Sequence, residues 1–142
     1  MSRAHLTRST RDQTLWAPAL ALVLVQVVHG AIPGPGENGG SVLGPLVGLA
    51  LLASSTGVMV GLARHRSWAR PLLGATGAAV AVGFLAYHAI PLKTPLNYPY
   101  WGTGPRANAG QWLPVIASIL IGAWSWHRSR ARAGDDASAP AL

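Results

Sequence analysis

His29 and His88 are the side chains in this sequence best suited to chemistry. Each closes a long apolar run in a near-identical setting, His29-Gly30-Ala31-Ile32-Pro33 and His88-Ala89-Ile90-Pro91. A neutral imidazole ligates metals and haem iron, and it takes up a proton within the physiological pH range. Gln26 stands three residues before His29 and shares its helical face. Tyr87 adjoins His88. The connection over residues 93–110 adds Tyr98, Tyr100, Trp101 and Arg106. Its 18 residues are long for a linker in a compact domain, and such loops often carry function. The aromatic groups suit a lipid headgroup or a sugar, and Arg106 suits an anion. Gln26, His29, Tyr87, His88, Tyr98, Tyr100, Trp101 and Arg106 are therefore the candidate ligand-binding residues, for a small molecule, haem or a metal.

Each of these residues also has a plainer use. A histidine at the end of an apolar span can be solvated or can bond a neighbouring carbonyl. A proline-fixed loop of tyrosine and tryptophan can rest at a membrane surface. Two histidines and the one nearby carboxylate, Glu37, fall short of the three or four protein ligands of a closed metal site. No metal site and no cofactor are expected. The chain has no cysteine, so thiolate sites and disulfides are excluded. It carries no Ser-His-Asp set, no paired carboxylates, no phosphate-binding glycine loop and no metalloprotease motif. The sequence reading is thus of a protein that is not an enzyme.

The elements that hold these residues are long and apolar. Of 142 residues, 11% are charged, well below the roughly 25% of a soluble domain. No Asp, Glu, Lys or Arg occurs in 13–36, 38–63, 71–92 or 107–127. Each interval matches the roughly 20 residues that cross a bilayer core as a helix. The expectation is an all-α, four-transmembrane-helix bundle with spans at about 14–32, 42–63, 71–92 and 108–126. A basic cytoplasmic tail occupies 1–13, and a disordered tail 133–142. The first span, preceded by Arg3, Arg8 and Arg11, resembles a signal peptide, but its end at His29-Gly30-Ala31-Ile32-Pro33 is a poor cleavage site, and it is expected to stay as a true span. The intramembrane parts hold no Asp, Glu, Lys or Arg, which argues against a proton-coupled pump.

Orientation follows from the basic residues. Arg3, Arg8, Arg11, Arg64, Arg66, Arg70, Arg128, Arg130 and Arg132 flank one side of the spans; Lys93 and Arg106 flank the other. The positive-inside rule then places both termini in the cytoplasm of a multi-pass cell-membrane protein. This placement also accounts for the net charge of +7 without nucleic acid. Trp16, Trp68, Trp112, Trp124 and Trp126 fall near span ends, where indoles settle at headgroups.

The chain reads as two tandem helical hairpins. The histidine endings of spans one and three match. So do the entries Asn38-Gly39-Gly40 and Asn108-Ala109-Gly110, and the exits His65-Arg66-Ser67 and His127-Arg128-Ser129. Gly44, Gly48, Gly57 and Gly61 in span two, with Gly74 and Gly77 in span three, are the expected helix-packing positions, since small residues let backbones approach in lipid. Span two, with small residues on two faces, is expected at the centre of the bundle. Four spans with Ala-Ile-Pro endings and His-Arg-Ser exits resemble small four-helix membrane proteins of high-GC Gram-positive bacteria; the resemblance is to no named family and implies no activity. The expected partners are the lipid bilayer and a membrane-protein partner or a second copy. The expected role is that of an accessory or interaction bundle, and the alternative is a binding or transport-like protein with a site at the outer face.

Overall fold

The computed structural model describes residues 3–31, 43–91 and 105–137, with side chains over 14–31, 44–91 and 110–131. Four helices form it: α1 Arg3–Ala31, α2 Leu43–Ala63, α3 Ala69–Phe84 and α4 Pro105–Ala137. A single π turn, Leu85–Ala89, extends α3. The described residues contain no strand. Three stretches are long and apolar enough to cross a membrane by length and composition: Thr14–Ala31, Gly44–Ala63 and Ala69–Ala89. The fourth helix is not among them. Gly110, Gln111 and its serines dilute the apolar core around Val115 and Ile121.

The breaks between helices follow from local chemistry. Pro45 and Pro71 sit in first turns, where a missing N–H is tolerated. His65 closes α2 in the left-handed region, at φ 51°. Its N–H donates to Leu62 O at 3.0 Å, and the Arg66 N–H donates to Gly61 O at 2.8 Å. This is the paired hydrogen-bond pattern that ends many helices, with histidine in the place usually held by glycine. At the far end, Pro91 disfavours helical backbone for the residue before it. Ile90 is accordingly extended, at ψ 122°, and α3 stops.

The helices form a ring in which α1 touches α2, α2 touches α3, α3 touches α4 and α4 returns to α1. Along α3 and α4, Gly77 meets Gly122 and Gly74 meets Ser129, so the two run antiparallel. A methyl group on Gly77 would lie 2.6 Å from Gly122 O, and one on Gly122 would lie 2.8 Å from Ala81 N. Only glycine permits that approach. Leu15, Ala19, Leu22, Val58, Leu62, Ala69, Leu73 and Val80 fill the interior between α1, α2 and α3.

The exterior of this bundle is apolar, and its interior mixes apolar with polar side chains. Ser55, Thr76, His88, Ser118, Ser125 and Ser129 are buried, whereas Leu46, Val47, Leu49, Val82, Leu113, Ile116 and Leu120 are exposed. The buried hydroxyls are satisfied locally. Ser55, Ser118 and Ser125 donate to Leu51, Pro114 and Ile121 carbonyls four residues back, and Ser129 donates to Trp126 O. Ser54 and Thr76 join α2 to α3 through a 2.6 Å hydroxyl pair.

Several expectations are corrected here. The second helix is not central: half of its described side chains are exposed, and the tightest pair is α3 with α4. Gly48 has no described atom within 4 Å of the place a side chain would occupy, so it packs against none of the described helices. Gly57 makes only ordinary contact with Leu72, at 3.9 Å. Gly44 makes room for Tyr87, Gly61 for Trp68 and Ala69, Gly74 for Ser129, and Gly77 for Gly122. The two His-Arg-Ser exits differ in backbone, the first forming a turn and the second continuing α4. The helix runs on to Ala137, so the first half of the tail expected to be disordered is helical. The basic segment before residue 14 likewise continues α1 from Arg3.

Candidate functional site

The described site lies where the C-terminal ends of α1 and α3 meet across the ring. His29 closes α1, and the π turn carries Tyr87 and His88. The imidazoles of His29 and His88 stand edge to face with centroids 5.1 Å apart. The Phe84 ring is 4.7 Å from His29 and 5.8 Å from His88, and the Tyr87 ring is 4.8 Å from His88. His88 is 2% exposed, so the cluster's central ring is sealed from the surroundings. Tilted, edge-to-face contacts of this kind are favoured arrangements for aromatic rings.

A second polar layer lies about one turn deeper. Gln26 Nε2 donates to Ser55 Oγ at 2.7 Å and to Leu22 O at 2.8 Å. The Ser55 hydroxyl donates its own proton to Leu51 O, so toward Gln26 it can only accept. That forces the amide nitrogen toward Ser55 and leaves Gln26 Oε1 buried without a hydrogen-bond partner among the described residues. An unpaired buried acceptor offsets much of what the donor side contributes. Ser55→Ala is therefore expected to cost about 1 kcal/mol, and Gln26→Leu combined with Ser55→Ala to lie within about 0.5 kcal/mol of the parent. A double-mutant cycle on detergent unfolding midpoints measures both values; a double variant as weak as the summed singles would contradict the account.

The structure thus brings together Gln26, His29, Tyr87 and His88. Phe84 joins them without having been singled out from the sequence; its signal was the i, i+4 spacing to His88. Ser55 also enters, as the cross-helix partner of Gln26. Tyr98, Tyr100 and Trp101 lie outside the described residues, and for Arg106 the backbone alone is described, in the first turn of α4.

Chemically, imidazole is a metal ligand and a site of proton exchange, and the structure brings two of them into ring contact. Among the described residues no group of three His, Cys, Asp or Glu side chains is placed to hold a metal ion. The cluster's other members, Phe84 and Tyr87, supply packing surface and one hydroxyl. No protein-family model, no curated protein and no solved structure matches this chain.

Proposed function

We propose that this chain is a multi-pass cell-membrane protein with four spans and both termini in the cytoplasm, acting without catalysis as an accessory or interaction bundle. The observation that supports it best is the apolar exterior: leucine, valine and isoleucine are exposed along the helices, while Ser55, Thr76, His88, Ser118 and Ser125 lie buried among apolar side chains. In water this surface would be one large apolar patch, and in lipid it is the required exterior. The fourth helix joins the reading because Leu113, Ile116, Leu120 and Trp124 share one exposed face of a helix that packs closely on α3. Orientation rests on the nine arginines of one side. The tandem-hairpin reading rests on His29 and His88 ending α1 and α3 at one end of the bundle. Partners would engage α2, whose Leu46, Val47 and Leu49 face away from the other helices.

Purification in mild detergent, followed by native mass spectrometry and an absorbance spectrum, tests the role. A bare particle, or one carrying a defined protein partner, is the expected result. A second reading is favoured by the contact of His29 with His88: a small-molecule, haem or metal site at the outer end of the bundle. A bound chromophore or metal, lost from a His29→Ala/His88→Ala variant, would replace the accessory reading with this one.

A further inference from the structure

A cleft of about 360 Å³ opens at the opposite end of the bundle from the histidines, between the start of α3 and the later part of α4. Arg70, Pro71 and Gly74 line it from α3; Trp126, Ser129 and Arg130 line it from α4. Its size falls in the roughly 300–1,000 Å³ range of small-ligand sites. Two of the six lining residues are arginines and none is a carboxylate. The Arg130 guanidinium lies 4.1 Å above the Trp126 ring, which holds it at the rim with its N–H edges available to an acceptor. The Ser129 hydroxyl donates to Trp126 O, and the two arginines carry the positive charge of the cleft.

The surroundings select the source of the anion. At 100° per residue, Pro71, Ala75, Ala79 and Val82 form one outward stripe of α3, all exposed. Ile116, Ile119, Ala123, Trp126 and Arg130 form one flank of α4. Both stripes are apolar along the bundle and end at the cleft, Val82 being 64% and Ile116 49% exposed. An acyl chain has a track there that free phosphate would not use. The cleft also lies level with the α2–α3 turn that carries Arg64, Arg66 and Trp68, the height at which headgroups meet a membrane protein. Basic pockets between spanning helices on the cytoplasmic side bind acidic lipid heads for these reasons.

We propose that the α3–α4 cleft binds the phosphate of an anionic phospholipid, held by Arg70 and Arg130 with Trp126 as platform and the acyl chains along the two stripes. The proposal rests on the membrane reading above. Its test uses the full chain in mild detergent, titrated with phosphatidylglycerol or phosphatidylcholine and followed by native mass spectrometry. Phosphatidylglycerol is expected to remain bound where phosphatidylcholine does not. Arg70→Gln/Arg130→Gln should weaken the anionic lipid about tenfold or more. Arg64→Gln/Arg66→Gln, which removes the same charge from the neighbouring turn, should change it less than about threefold. Equal losses in the two variants would show diffuse attraction and overturn the site. Inorganic phosphate that binds as well as the lipid and displaces it would overturn the lipid assignment. Alkaline extraction of the membrane fraction keeps the two readings apart. Release of the chain refutes the membrane reading itself, whereas a retained chain that ignores lipid charge refutes the cleft alone.

Discussion

Gly77→Leu is expected to destroy the packing of α3 on α4, lowering stability by about 3 kcal/mol or more, the upper end of what overpacking costs. The reason is geometric. The first carbon of any side chain at Gly77 would stand 2.6 Å from Gly122 O, 2.7 Å from Ser125 Cβ and 3.1 Å from Trp126 N. Two of those three atoms are backbone, which cannot swing aside as a side-chain tip can. Relief requires the helices to move apart, and separation would weaken the contacts of Ala81 with Gly122 and of Gly74 with Ser129. Without a hydrophobic drive between helices in lipid, close packing of this sort carries much of the association. Gly48→Leu is the matched control. It makes the same substitution in a still more apolar helix but has no described neighbour within 4 Å, so it should stay within about 0.5 kcal/mol. Unfolding by mixed denaturing and mild detergent, read by helix content, compares the two. A Gly77→Leu protein as stable as Gly48→Leu would show that the helices do not approach as described. A Gly48→Leu protein that is stable but changes oligomeric state would point to α2 as a partner surface.

The second large effect is expected at His88. Truncation to alanine removes a ring that is 2% exposed and touches His29, Phe84 and Tyr87 at once. By analogy with other buried ring-to-alanine changes, the cost is about 2–4 kcal/mol. His29→Ala should cost less, because His29 is only partly buried. The informative companion is His88→Phe, which keeps an aromatic ring and removes both nitrogens. If the ring contributes by packing, phenylalanine recovers most of the lost stability. If the nitrogens hold a ligand, His88→Phe recovers stability and still loses whatever absorbance or metal the parent carries. Thermal unfolding in detergent alongside metal analysis reads both. A His88→Ala protein that unfolds with the parent would show that the cluster does not hold the ends of α1 and α3 together.

Some of this was legible along the chain. Long intervals without charge announce helices of membrane-spanning length, because burying an ion in hydrocarbon is costly and a helix satisfies its own backbone. Gly74 and Gly77 were readable as small packing positions, and both lie against α4. That His29 and His88 share an end of the bundle also followed from their matching places at span ends. Other features were not legible. Gly48 looks like Gly44 in the sequence, yet among the described residues the first meets no neighbour and the second receives the Tyr87 ring. The π turn gives no local signal; it shifts the register after Phe84 and sets where Tyr87 and His88 face.

What the sequence determined by itself is the set of one-dimensional quantities: where charge is absent and which ends are basic. Each depends on a residue and its immediate neighbours, and local sterics and solvation settle it. Only the tertiary structure decided the pairings. Gly77 meets Gly122, Gln26 meets Ser55, His29 meets His88, and Arg70 and Arg130 come to one cleft. An apolar helix presents several faces of nearly equal hydrophobicity, so composition does not choose its neighbour. The choice falls to backbone approach and to shared hydrogen bonds, which exist only once the helices have come together.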